Sequence, residues 1–311
     1  MRYSVGIDLG GTNIAVGIVD EQFQLMDTLS VPTQADRPWE QVVADMARCV
    51  RTLLANNALD PSSCVGLGAG VPGVIDSSAG TVLFSNNLHW ERVPLGHALA
   101  EATGFPVRLS NDANCAALGE VAAGAAKGRK NVVLLTLGTG VGGGIIIDGK
   151  IYEGTQGAGA ELGHCTLIMD GLPCTCGRKG CIEVYASATA LVRQAGEALA
   201  SHPDSILAGR ALDGRRIFDA MHQGDPAAVH VVEQYEHYLG EAAVNIVNIF
   251  RPEILLIGGG ISGEGQPLVD RLNAYVQENC YAAEYAFVTT VKIAALGNKA
   301  GIVGAAALCL A

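Results

Sequence analysis

Two stretches decide the fold: Tyr3–Asp20, YSVGIDLGGTNIAVGIVD, and Asn131–Tyr152, NVVLLTLGTGVGGGIIIDGKIY. Each reads as an apolar strand, a glycine turn and a second apolar strand. Setting Leu9, Gly10, Ile18 and Asp20 against Leu137, Gly138, Ile146 and Asp148 gives one constant offset, so the pattern points to an internal duplication. The first copy runs on through EQFQLMDTLSV, which makes three antiparallel strands joined by tight turns. The second continues into a hairpin at Asp148–Gly149.

Outward from these hairpins, helical and strand patterns alternate. From Pro38 to Asn57, Trp39, Val42, Val43, Met46, Val50, Leu53 and Leu54 recur at helical spacing. VGLGAGVPG supplies a buried strand and turn, and FPVRLS a short strand. Helices are expected from about Glu183 to Ser201, from about Pro226 to Phe250 and from about Lys299, with the strand-turn EILLIGGG between the last two. At 311 residues the chain exceeds a single core, and hairpins followed by alternating helices and strands, twice over, imply two mixed α/β lobes. The division expected is residues 1–110 with 298–311 as a small lobe and 111–297 as a large one, a ligand cleft lying between them.

Composition narrows the function. A hydrophobic share of 49% with 40 glycines and 5% aromatics describes an ordered chain rich in tight turns. The net charge of −11 and the lack of any basic run argue against a nucleic-acid partner. The N-terminal MRYSVGIDLGG has no secretory pattern, and the apolar runs are too short or too broken by glycine to span a bilayer. Cys49, Cys64, Cys115, Cys280 and Cys309 sit among apolar or small residues as free buried thiols do, which fits a reducing cytoplasm.

An acidic protein that binds a nucleotide must use backbone amides and a metal ion. DLGGTN offers them: the amides of Gly10, Gly11, Thr12 and Asn13 surround a hairpin turn, and Asp8 would face Mg2+. The plainer reading is a turn whose glycines only permit positive φ. Two more glycine turns, Gly138–Gly144 with Thr139 and Gly140, and Gly258, Gly259 and Gly260, each follow an apolar strand, where α/β sheets place ligands. Gly138, Gly140 and Gly143 imitate the dinucleotide fingerprint, but the β-branched run after them cannot open the helix that motif needs.

HCTLIMDGLPCTCGRKGCIE, His164–Glu183, carries one imidazole and three thiols, His164, Cys174, Cys176 and Cys181, the ligand set of a closed tetrahedral zinc site. With all four positions filled by protein, the metal is structural. Zinc occupies one ring nitrogen of His164, leaving the other to donate to a substrate hydroxyl, and pins Glu161 and Glu183 nearby. Asp112 follows the FPVRLS strand and suits a general base for an attacking hydroxyl; it equally suits a helix N-cap.

DLGGTN, SNDANCAALGE, TLGTGVGGG, ELGH and CTCGRKGCIE together resemble the ROK sugar kinases over essentially the whole chain, and LGNKAGIVGAA and EVYAS are similar to the glucokinase branch. The resemblance implies the actin-like ATPase (ribonuclease H-like) fold and ATP as phosphate donor with Mg2+. It implies a sugar site of Gly73, Asn87, Asn111, Asp112, Glu161, His164 and Glu183, and a homodimer or homotetramer. The expected reaction is phosphorylation of glucose at its 6-hydroxyl, with N-acetylglucosamine, mannose, allose or fructose as alternative substrates. Two other classes compete. A ROK repressor would carry a basic helix-turn-helix ahead of the hairpin with which this chain begins. An actin-like ATPase or chaperone would give the Glu–His–zinc lining no purpose.

Overall fold

The computed structural model describes residues 2–310. In chain order the elements are β1 (Tyr3–Leu9), β2 (Asn13–Asp20), β3 (Leu25–Pro32), α1 (Trp39–Asn56), β4 (Cys64–Val71), β5 (Val74–Asp76), β6 (Thr81–Ser85), β7 (Trp90–Val93), α2 (Leu95–Thr103), β8 (Val107–Asn111), α3 (Asp112–Ala122), β9 (Val132–Leu137), β10 (Val141–Ile147) and β11 (Lys150–Ile151). There follow α4 (Glu183–Ala186), α5 (Ala188–Ala198), α6 (Gly214–His222), α7 (Pro226–Phe250), β12 (Ile254–Gly258), α8 (Gln266–Asn279), β13 (Thr290–Ile293) and α9 (Ala300–Leu310).

The two hairpins found in the sequence open two sheets of one design. The first has the order β3-β2-β1-β4-β8 and the second β11-β10-β9-β12-β13, so both run third, second, first, fourth, fifth. In the first sheet β1 pairs antiparallel with β2 and parallel with β4, and β4 pairs parallel with β8. Central β1 is almost wholly buried, whereas edge strand β3 alternates half-buried and exposed residues, as a strand covered on one face must. The Asp148–Gly149 turn takes positive φ at both residues (51° and 77°), the type that two-residue hairpins require.

The chain divides into two compact units. One comprises residues 1–132, 144–160 and 295–311, the other 133–143 and 161–294. In the first unit, α1 buries the stripe Val42, Val43, Met46, Val50, Leu53 and Leu54 expected of it, against a core with Tyr3, Ile7, Leu9 and Leu67. Pro38 sits one position ahead of that helix. α9 lies directly on the β1 and β4 backbones, since a side chain at Gly6 or Gly68 would overlap the Ile302 or Ala305 carbonyl. The small sheet β5-β6-β7, made of short and partly exposed strands, had no clear pattern in the sequence.

In the second unit α7 runs Pro226–Phe250, the bounds read from its periodicity, with Asp225 capping it by accepting from the Ala228 amide (3.0 Å). The helix expected over Glu183–Ser201 is instead two, α4 and α5, because Ser187 leaves helical geometry (φ −79°, ψ 164°) and its hydroxyl caps α5 at the Ala190 amide (3.0 Å). Cys49, Cys115 and Cys280 are buried as expected, but Cys64 and Cys309 are only half-buried. Among the described residues no helix is long and apolar enough to cross a membrane.

Candidate functional site

In the first unit the candidate residues gather at the C-terminal ends of β1, β4 and β8. Asn111 is the last residue of β8 and caps α3: its Oδ1 accepts from the amides of Ala113 (2.9 Å) and Asn114 (3.3 Å), and its Nδ2 donates to the Gly73 carbonyl (3.2 Å). The cap is therefore Asn111, not Asp112 as the sequence suggested. Both are cap-type residues, and the choice falls to the one whose backbone is still extended (φ −65°, ψ 149°). Asp112 occupies the first turn of α3, where the helix dipole favours a carboxylate, and its Oδ1 accepts from the Ala113 amide at 2.9 Å. Gly73 has φ 114°, and any side chain there would overlap the Phe84 carbonyl, so only glycine fits beneath the Asn111 amide.

Burial dominates the electrostatics. It raises the Asp112 carboxyl above the usual aspartate range against the lowering effect of the backbone and Asn111 hydrogen bonds. Asp8 is pushed up to about 6, first by burial and then by the charge of Asp112. Buried Cys115 is raised well above the thiol range by desolvation and by the carboxylates of Asp8, Asp112 and Glu153. Three acids thus surround one point of the unit, and Glu153 is held there by the hydroxyls of Ser110 and Ser77, each donating at 2.6 Å. Two desolvated carboxylates, one of which raises the other, are a donor set suited to a hard divalent cation.

The Gly10–Asn13 turn is braced from outside. The Gly10 amide donates to the Asn13 carbonyl (2.9 Å), fully buried Thr33 donates its hydroxyl to the Gly10 carbonyl (2.6 Å), and the Thr33 amide donates to the Thr12 carbonyl (2.8 Å). Arg37 Nε in turn donates to the Thr33 carbonyl (3.1 Å) and pairs with Asp45 on α1 (2.5 Å). Nothing in the sequence marked Thr33. Asn87 is exposed, and its backbone lies where a side chain on Gly11 would touch it.

In the second unit the four expected metal ligands converge, with ligand atoms all within 4.8 Å of one another. Cys174 Sγ is 3.7 Å from His164 Nδ1, and Cys176 Sγ is 3.6 Å from Cys181 Sγ. Tetrahedral zinc with sulfur at about 2.3 Å requires ligand separations of about 3.8 Å, so the residues fit the ion. Without a cation, burial and the neighbouring thiols push Cys181 up to about 12, while the Arg178 amide lowers exposed Cys176. Nδ1 is the ring nitrogen turned to the sulfurs, which leaves Nε2 to carry the proton.

Glu183, two residues past Cys181, opens α4 and reaches the second glycine turn: its Oε2 accepts from the Val141 amide (3.0 Å) and its Oε1 lies 4.0 Å from Cys174 Sγ. A side chain at Gly140 would occupy the place of that carboxylate. Glu161 immediately precedes the helical turn Leu162–His164. Around Gly138 and Gly260, by contrast, no atom lies within 4 Å of where a side chain would begin. Packing does not demand glycine at those two positions.

Two five-stranded sheets of one order, each opened by a glycine hairpin, define the actin-like kinase fold. The chain matches the ROK family over residues 4–311, and it belongs to that family. A glucokinase of Halalkalibacterium halodurans is 37% identical over 310 residues, 97% of this chain and 93% of that protein. The crystal structure of a ROK family glucokinase from Streptomyces griseus in complex with glucose and AMPPNP shares 37% identity with a TM-score of 0.82 over 98% of both chains. A ROK hexokinase from Thermus thermophilus shares 33% identity with a TM-score of 0.83, over 98% of this chain and 97% of its own. The family also contains regulators: a xylose repressor of Bacillus subtilis is 29% identical over 289 residues, 90% of this chain and 70% of the repressor.

Proposed function

We propose that this protein is an ATP-dependent hexokinase that phosphorylates glucose at the 6-hydroxyl, with Asp112 as general base. The observation that carries the reading is Asp112 itself, a desolvated carboxylate with a raised proton affinity, fixed at the start of α3 where its charge reaches Asp8, two residues before the Gly10–Asn13 turn. A base whose pKa is moved toward neutrality is better matched to accepting a hydroxyl proton.

Asp112 takes the proton of the sugar hydroxyl as its oxygen attacks the γ-phosphorus of ATP, the bond to the β-phosphate oxygen breaks, and ADP leaves. In so loose a transition state the base chiefly aims the nucleophile, while amides of Gly10, Gly11, Thr12 and Asn13 and of the turns at Thr139, Gly140 and Gly258–Gly260 bind the phosphate oxygens. The glycines at 138 and 260, which packing does not require, support close approach of a ligand to the backbone. Mg2+, held through Asp8, would neutralise charge on the transferred phosphate.

The sugar meets Gly73, Asn87, Asn111, Asp112, Glu161, His164 and Glu183. The Asn111 amide keeps one N–H beyond the bond to Gly73, and His164 offers its Nε2 proton. Zinc would hold the ring orientation and tautomer of His164 without entering the chemistry. The relatives that are glucokinases, and the complex of one with glucose and AMPPNP, support this substrate pair. A different hexose is the second reading, because epimers differ only in sub-ångström hydroxyl placement.

The test is a coupled assay of ADP formation over a panel of hexoses, comparing kcat/KM. Glucose is expected to rank first. A tenfold preference for another hexose overturns the substrate assignment, and ATP turnover indifferent to every hexose overturns the kinase reading.

A further inference from the structure

One fully buried acid of the first unit has no part in the chemistry proposed above. Glu120, near the end of α3, is 0% exposed, and its carboxylate accepts from three backbone amides. Oε2 takes those of Ala125 (2.7 Å) and Ala295 (3.0 Å), and Oε1 takes that of Leu296 (2.7 Å). The loop after α3 closes over it so tightly that a side chain at Gly124 would overlap Oε2. Burying a carboxylate is costly unless several donors meet it, and here every donor is main chain. What the side chain holds is therefore the path of the backbone.

Two of those amides stand where the chain returns to the first unit, at Ala295. From Leu296 it makes one short helical turn, Gly297–Lys299, and enters α9. Tying Ala295 and Leu296 to α3 thus fixes where α9 begins. Glycine removes the slack between the two helices: a side chain at Gly119 of α3 would overlap the Ala300 carbonyl, and one at Gly304 of α9 the Cys115 carbonyl. Gly301, in the first turn of α9, lies against Asp8, so that a side chain there would begin on the Asp8 carboxylate. Close-packed backbone passes a displacement on instead of absorbing it. A shift at Leu296 would therefore reach Asp8.

We propose that Glu120 is a positioning residue for the divalent cation, setting the place of the Asp8 carboxylate through the start of α9, an inference that rests on the reading of Asp8 as the Mg2+ contact. Glutamate suits this task because both of its oxygens accept, and the three amides call on both. Glutamine keeps the shape but has one acceptor, so its NH2 group would face an amide donor and leave at least one of the three unpaired. A purely architectural glutamate would support the unit without distinguishing the cation from the nucleotide. A glutamate that acts through α9 on Asp8 makes that distinction.

Titration calorimetry with AMPPNP, in the presence and absence of Mg2+, isolates the contribution of the cation as a ratio of affinities. In the wild type Mg2+ is expected to tighten AMPPNP binding about tenfold or more, and in Glu120→Gln by no more than about twofold. AMPPNP affinity without Mg2+, and sugar KM, should stay within about twofold of wild type. Val231→Ala, a truncation of a buried side chain on α7 of the second unit, should lower Tm yet keep the wild-type ratio, which separates the effect from loss of stability. Reciprocity gives a measurement on the wild type alone: Mg2+ with AMPPNP should slow hydrogen exchange over residues 295–303 beyond the effect of AMPPNP by itself. A ratio that survives Asp8→Asn overturns the reading of Asp8 and this inference with it. A ratio lost in Asp8→Asn but kept in Glu120→Gln overturns the inference alone, as does exchange over 295–303 that Mg2+ leaves unchanged, which decides the matter should Glu120→Gln not fold.

Discussion

Asp112→Asn is expected to abolish turnover and, in the absence of nucleotide and Mg2+, to stabilise the protein. Asp8 is pushed up to about 6, roughly two pH units above an ordinary aspartate, which corresponds to about 3 kcal/mol of unfavourable free energy for its ionised form at pH 7. Burial is the larger cause and the Asp112 charge the smaller, so removing that charge relieves less than half of this amount. The variant also spares the desolvation of the Asp112 carboxylate itself. An asparagine oxygen can still accept from the Ala113 amide, which preserves the local geometry. Together these give a gain of about 1–3 kcal/mol, or a rise in Tm of a few degrees. The sign of the pH dependence follows from raised folded-state pKa values: the ionised acids destabilise the fold above about 6, and protonation restores stability as pH falls. The advantage of the variant is therefore full at pH 7–8 and shrinks between about 6 and 4. Catalysis should fall by about 10²–10⁴ in kcat with sugar affinity nearly unchanged. Scanning calorimetry at pH 5 and 8, beside steady-state kinetics, measures both. A lowered Tm at pH 8, or a kcat within tenfold of wild type, refutes the reasoning.

Cys176→Ser removes one of four ligands and should lower bound zinc from one per chain toward zero after dialysis, as read by atomic absorption. Sugar KM should rise about 10–100-fold and ATP KM by less, through the turn that Glu183 braces; sugar binding that survives metal loss would detach His164 from recognition. Thr33→Val deletes the 2.6 Å bond to the Gly10 carbonyl but not the amide bond to Thr12. An unsatisfied carbonyl costs about 1–2 kcal/mol, so ATP KM should rise about 5–30-fold with sugar KM unchanged, and Thr33→Ser should restore it. Unaltered ATP kinetics in the valine variant would show that the turn needs no brace.

What the sequence disclosed and what it withheld differ in range. The hairpins at Tyr3–Asp20 and Asn131–Tyr152 were legible because strand periodicity and turn glycine are local, and α7 because Asp225, Pro226 and a run of helical spacing bound it at its start. The convergence of His164, Cys174, Cys176 and Cys181 was legible because chemistry limits what three thiols and an imidazole can do together. The break at Ser187 was not, since a serine cap lacks the strong signature of proline or glycine. Thr33 lies 23 residues from the carbonyl it holds. Buried Glu120 was hidden by distance as well, its carboxylate accepting from the amides of Ala295 (3.0 Å) and Leu296 (2.7 Å), 175 and 176 residues away. No spacing rule reaches such partners, because only the finished fold brings them together.

The two glycine hairpins show one device braced in two ways. In each hairpin a polar side chain from elsewhere in its unit fixes the glycine turn: Thr33 grips the Gly10 carbonyl in the first, and Glu183 accepts from the Val141 amide in the second. The braces differ in what stands behind them. Thr33 is backed by Arg37 and Asp45 on α1, a protein-only chain, whereas Glu183 is separated by a single residue from the metal ligand Cys181. Loss of the ion would therefore loosen the second turn as well as His164, while the first turn would stand. That asymmetry would make a bound ion a support for two candidate contacts at once, and a glycine at 140 leaves room for a carboxylate that belongs to the His164–Cys181 loop.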